Sequence, residues 1–255
     1  MSDNGPIDIS GRPDAGNAGS EPRTVDADRG LGWWTDAWAL FMRSALMWGA
    51  LGLILFVGLM VVGFVPVLGT LASTLLMPVF AGSWMLAARK VHEGGALEVG
   101  DLFLGFQAPQ FPPLLVLGAL LLGAMLVIGG AAVMLGAGAV FGMVMGGARH
   151  SAGGMMAGLG AGFAALAIAL VAGAIVTMAL WFAPALVVFR KTPPLEAMKL
   201  SSAAVLKNML PFLVFGVIYI VAAVVASIPF GLGWLVLLPV SLLAAFVSYR
   251  DVFEP

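Results

Sequence analysis

The chain has no cysteine, only two histidines and two tyrosines, and charged side chains at just 10% of its 255 positions. The missing cysteines exclude disulfides, thiolate zinc sites and cysteine nucleophiles. The scarcity of charge excludes a water-soluble surface. A soluble domain carries about 25% charged and about 45–50% apolar residues, whereas 61% of this chain is apolar. A net charge of −1 provides no basic excess for nucleic acid. In a bilayer the apolar surplus faces lipid, and the composition becomes self-consistent.

Length therefore counts spans. A helix crosses the hydrocarbon core with roughly 20 apolar residues. The sequence predicts an all-α polytopic bundle over residues 31–255 with six spans, at about 46–64, 67–88, 113–135, 165–189, 211–227 and 233–249. Residues 1–30 are rich in Gly, Asp, Pro, Ser and Asn and read as a disordered cytoplasmic tail, because they cannot bury enough surface to offset chain entropy. Their polarity is also unlike the apolar core of a secretory signal. In GLGWWTDAWALFMRS, Trp34, Trp38 and Phe41 recur at i, i+4 and i+7 and predict a short interfacial helix. Residues 192–210 predict an amphipathic helix, with Glu196, Lys199 and Lys207 opposite Leu195, Met198, Val205 and Leu206.

From Pro113 to Phe189 the chain is almost continuously apolar for 77 residues, far more than one crossing needs. Its middle, a Gly- and Met-rich insert at 136–164, supports two forms. Either the third and fourth helices are long and protrude as a hairpin, or the insert is a re-entrant loop. The first is favoured, since small residues let membrane helices approach closely.

Charge sorts the topology. With six spans and both termini in the cytoplasm, 11 of the 12 basic residues lie inside and only Arg149 lies outside, as cytoplasmic retention of cations requires. All 13 acids fall inside as well. A threefold plan underlies the spans: an acid near a helix start, a semi-polar helix, a span, a turn, and a span with an internal proline and a basic end. The acids are Asp36, Asp101 and Glu196, the prolines Pro78, Pro184 and Pro239, and the ends Arg89, Arg190 and Arg250. Acid to proline is 42 residues in the first unit and 43 in the third, and LLMPVFAGSWMLAAR aligns with VLLPVSLLAAFVSYR without a gap. The middle unit is about 40 residues longer, which isolates the Gly-rich stretch as an insertion into one of three duplicated hairpins.

The strings GWWTDAWALF, LLMPVFAGSWMLAARKVHEGG with DLFLGF, ALWFAPALVVF, PPLEAMKLSSAAVLKNMLPFLVFG, GLGWLVLLPV and SYRDVF resemble an uncharacterised family of proteobacterial multi-spanning inner-membrane proteins. The resemblance covers about residues 30–255. It implies a polytopic inner-membrane protein and carries over no activity, ligand or catalytic residue.

No catalytic, cofactor-binding or metal-ligating set emerges from the residues themselves. The predicted spans contain no ionisable side chain, although such residues would mark transport paths. His92 and His150 fall on opposite sides and cannot share a metal. Ser201 and Ser202 lack a histidine base on their helix. The hydroxyls of Thr70, Ser73, Thr74, Thr177 and Ser241 could line a cavity near the proline kinks or act as polar glue between helices. The expectation is a non-enzymatic inner-membrane protein of structural, assembly or envelope-homeostasis type, with a small-molecule or lipid transporter as the alternative. It has no cofactor. Its partners are the lipid bilayer and other membrane proteins, and no nucleic acid.

Overall fold

The computed structural model describes residues 21–148 and 151–254, and among these the chain is all-α. The elements are α1 (Arg29–Met42), α2 (Ala45–Gly63), α3 (Leu68–His92), a 3-10 helix (Val99–Phe106), α4 (Phe111–Ala148), α5 (Ala152–Trp181), α6 (Ala183–Arg190), α7 (Pro194–Lys207), α8 (Met209–Ser227) and α9 (Trp234–Phe253). Among the described residues six helices are long and apolar enough to cross a membrane, α5 and α6 together forming the fourth, with mean hydropathy from 1.6 to 2.6.

Burial ranks these crossings. In their most apolar windows α3 and α9 are 44% and 61% buried, against 22% for α2 and 17% for α8. The two central helices are the ones with an internal proline, Pro78 and Pro239, and both prolines are buried. Pro239 meets Gly52 of α2, where a Cβ would come within 3.2 Å of its ring. The core gathers toward one end of the bundle, around Trp33, Trp48, Trp84, Phe182, Phe246, Tyr249 and Phe253. Arg23 N–H donates to Val252 O at 2.9 Å, so both ends of the described chain meet at this end, which also carries most of the charge.

The Gly-rich insert is helical on both sides. α4 runs 38 residues and α5 runs 30, so the predicted spans 113–135 and 165–189 continue without a break into 136–148 and 152–164. At 1.5 Å per residue α4 is about 57 Å long, nearly twice the roughly 30 Å hydrocarbon core. Gly118 packs against α3 so closely that a Cβ would lie 1.9 Å from Leu75 O. From there α4 continues thirty residues to Ala148, whereas α3 has only seven left before its outer end at Leu68. The extension is held within the hairpin by small residues: a Cβ on Gly142 would lie 3.3 Å from Gly158 Cα, and one on Gly146 2.5 Å from Met155 N.

Two local expectations need correction. The tail is expected over 1–30. Residues 1–20 lie outside the described residues, but 21–30 are held in place. Val25 N–H donates to Asn208 Oδ1 at 2.8 Å, Asn208 Nδ2 donates to Arg23 O at 2.8 Å, and Lys207 Nζ donates to Pro22 O at 2.7 Å. Main-chain groups of a polar segment supplied the bonds that its side chains could not advertise. The packed face of α1 is Trp33, Ala37, Leu40 and Phe41; Trp34 is only partly covered and Trp38 is 49% exposed. Trp34 and Trp38 lie on the less covered side, as expected of an interfacial helix, and of the three expected residues Phe41 is the one packed on the core. Finally, Asp36 is not near a helix start: α1 begins seven residues earlier, at Arg29, while Asp101 and Glu196 do sit in first turns. In length the first and third units correspond, with lead-in helices of 14 residues and first spans of 19 in each.

Candidate functional site

The buried polar side chains act as fasteners between elements. Pro184 stands in the first turn of α6, and the helix breaks at Phe182. There the bond from Phe182 N–H to Met178 O is replaced by Ser201 Oγ, which accepts from Phe182 N at 3.0 Å and donates to Met178 O at 2.7 Å. One hydroxyl from α7 thus satisfies both halves of an interrupted helix ladder. Ser83 Oγ on α3 accepts from Gly105 N at 2.8 Å and locks the 3-10 helix against α3. Trp181 Nε1 donates to Ser248 Oγ at 3.1 Å, joining α5 to α9. Asp101, 4% exposed, accepts from Lys90 Nζ at 3.0 Å on both oxygens and from Glu98 N at 2.8 Å. The proposed cavity hydroxyls behave differently: Ser73, Thr74, Thr177 and Ser241 each donate to a carbonyl three or four residues back in their own helix. The polar glue falls instead to Ser83, Ser201 and Ser248.

At the charged end, α1, the ends of α3 and α9, and the segment before α1 converge on a cleft of about 350 Å³. Its walls carry Arg23, Asp36, Arg43, His92, Arg250, Asp251 and Glu254, over a floor of Ala39, Leu40 and Val247. Each carboxylate is held by an arginine. Arg29 bridges Asp251 at 2.6 Å and Asp36 at 2.9 Å, and Trp33 Nε1 donates to Asp251 at 2.8 Å. Glu254 pairs with Arg89 and, at 3.4 Å, with Arg250. Burial works against the Arg29 charge, but its bonds to Asp251 and Asp36 outweigh that and raise its pKa above the ordinary value. Arg23 and Arg43 meet only carbonyl oxygens: Arg23 those of Asp251 and Glu254 at 2.6 and 2.5 Å, Arg43 that of His92 at 3.3 Å. These are the last carbonyls of α9 and α3, where a cation complements the helix dipole.

His92 stands on the rim, its Nδ1 3.4 Å from Arg250 Nη1. His150 and Arg149 lie outside the described residues. Among the described residues no group of three or more acidic or histidine side chains is placed to hold a metal ion. From the residues alone the cleft's charges have a role in topology and none in a site. The available signal was SYRDVFEP, where Arg250, Asp251 and Glu254 load the end of an apolar span with alternating charge.

Six apolar crossings around a core closed by such fasteners define a polytopic α-helical membrane protein. The chain is 30% identical over 215 residues to a probable inner membrane protein of Burkholderia thailandensis, a match that covers 82% of this chain and 78% of that protein. It belongs to the same family of multi-pass inner-membrane proteins. No family model matches the chain, and no solved structure does.

Proposed function

We propose that the protein is a non-enzymatic component of the bacterial inner membrane with a structural, assembly or envelope-homeostasis role. The observation that carries this reading is the use of the polar groups inside the bundle. Although the buried Trp48 and Trp84 Nε1 groups have no partner, each of its buried serine, acidic and amide side chains among the described residues, Ser83, Asp101, Ser201, Asn208 and Ser248, is bonded to a neighbouring element. Chemistry or permeation needs polar groups kept available for a substrate; these are consumed by architecture. Affinity purification of the full chain in mild detergent tests the reading. A membrane protein in fixed ratio is the expected companion, and recovery of only a lipid or a solute sinks it.

The charged end faces the cytoplasm in this reading. Support comes from the basic residues, since Arg23, Arg29, Arg43, Arg89, Lys90, Arg190, Lys191 and Arg250 all cluster at that end. The cysteine-free chain allows a direct test. A Ser151→Cys variant in intact spheroplasts should react with an impermeant maleimide, and a Lys191→Cys variant only after permeabilisation. Equal or reversed labelling overturns the orientation.

One observation favours a second reading, a lipid transporter. An apolar groove of about 200 Å³, lined by Ile54, Gly58, Leu76, Phe80, Leu102 and Phe103, runs between α2, α3 and the 3-10 helix, and its apolar lining suits an acyl chain. Movement of a fluorescent phospholipid between leaflets of proteoliposomes, absent in protein-free vesicles, would support it.

A further inference from the structure

We infer that the cleft at the charged end is a binding site for a phosphate group, carried either by an anionic phospholipid or by a soluble phosphate compound. This goes beyond the proposed function and holds whether the protein assembles or transports.

Charge is the first argument. The lining carries three guanidinium groups, those of Arg23, Arg43 and Arg250, and three carboxylates, those of Asp36, Asp251 and Glu254. The carboxylates are taken up by Arg29 and Arg89, which stand behind the lining, and by Arg250. Arg23 and Arg43 instead meet carbonyl oxygens and form no ion pair with an acid among the described residues.

Geometry is the second argument. A guanidinium has five N–H donors in a planar fork that suits phosphate oxygens. Arg23 reaches its carbonyls through Nη2 and Arg43 through Nη1, which leaves the remaining donors of each fork to meet a ligand. Those carbonyls belong to the ends of α9 and α3, so the two guanidinium groups rest on helix ends, Arg23 closely and Arg43 at 3.3 and 3.5 Å.

Position and shape are the third. Arg43 stands two residues before α2, His92 ends α3, and Arg250 lies in the last turn of α9. The cleft therefore lies where three membrane helices leave the hydrocarbon, at the depth of lipid headgroups. The outer side of α1 presents Leu31, Trp38 and Met42 at 54%, 49% and 56% exposure, as a helix seated in the interface does. The floor of Ala39, Leu40 and Val247 would receive the carbon skeleton beneath the phosphate, and about 350 Å³ lies within the range of small-ligand sites.

The test uses the full chain in detergent and in nanodiscs. Native mass spectrometry would compare retention of phosphatidylglycerol with that of phosphatidylcholine, and thermal melts would compare inorganic phosphate with chloride at equal ionic strength. Preference for phosphatidylglycerol without an effect of inorganic phosphate identifies the lipid headgroup; stabilisation by inorganic phosphate identifies the soluble source. Arg43→Gln should weaken the preferred ligand about tenfold or more, the scale of one charge-assisted hydrogen bond. Arg43→Lys should lose part of that, and Lys199→Gln, a cation on α7 outside the cleft, should change nothing. The wild-type protein alone can overturn the site, by showing no preference for either phosphate probe. Equal loss in Arg43→Gln and Lys199→Gln also overturns it, because binding would then follow overall charge.

Discussion

The charged-end layer and the outer part of the α4–α5 hairpin are built from the same apolar alphabet but hold together by different physics. The layer ties together residues far apart in sequence through polar fasteners: Arg29 to Asp251, Asn208 to Val25, Ser201 to Phe182. The hairpin holds mainly to itself, through glycines that bring two backbones to within van der Waals distance. Outward it presents Val127, Val133, Met134, Phe141 and Phe163, each more than 60% exposed. In water such a surface would be untenable; over the part inside the roughly 30 Å hydrocarbon core it costs nothing, since acyl chains are as apolar as the side chains. Fasteners confer a fixed shape on one end, while small-residue packing confers length on the other.

Cutting the junction of the two regions should have the largest effect. Gly118 of α4 lies on the main chain of α3 at Leu75, and a Gly118→Leu side chain has no room there. Overpacking of this kind costs about 3 kcal/mol, enough to separate α4 from α3. The expected outcome is a lower melting temperature in detergent and proteolysis of the chain around residues 93–110. An unchanged melting temperature would mean that the two regions are less interdependent than this contact indicates.

Asn208→Ala comes next and acts on the layer alone. Asn208 is 1% exposed and bonds Val25 N, Arg23 O and Ala204 O. Leaving buried partners unsatisfied costs about 2 kcal/mol. Residues 21–28 should then be released and cut by protease, while hydrogen exchange in α4 and α5 stays at the wild-type rate. Protection of 21–28 in the variant would count against the fastener account.

How much of this was legible in the sequence follows from the same contrast. Crossings were readable because the lipid requirement acts on every residue of a span: 46–64 and 211–227 fall within two residues of α2 and α8 at both ends. The long hairpin was readable as one of two forms, because glycine serves close helix packing and loops equally well. The layer was not readable. Ser201 looks like any serine on an amphipathic helix until Pro184 breaks a helix beside it. Arg23 looks like part of a polar leader until the end of α9 supplies its carbonyls. Fasteners depend on partners up to 231 residues away, and periodicity within one segment carries no trace of them.

The smallest expected effect belongs to the hairpin itself. In Gly146→Val the new side chain would press on Gly154 and Met155, where a Cβ already falls 2.5 Å from Met155 N. The two helices must separate locally, but so close to the turn they pack on each other, well past the end of α3. The strain therefore dissipates within the hairpin, with a net cost of about 1 kcal/mol. Hydrogen exchange in nanodiscs should quicken over residues 139–147 and 152–160, with protection of α1, α7 and the end of α9 unchanged. The Asn208→Ala and Gly146→Val signatures should thus be mirror images. If Gly146→Val also loosened residues 21–28, the hairpin would be coupled to the layer along the length of α5, and the two regions would form one cooperative unit rather than a fixed end and a compliant one.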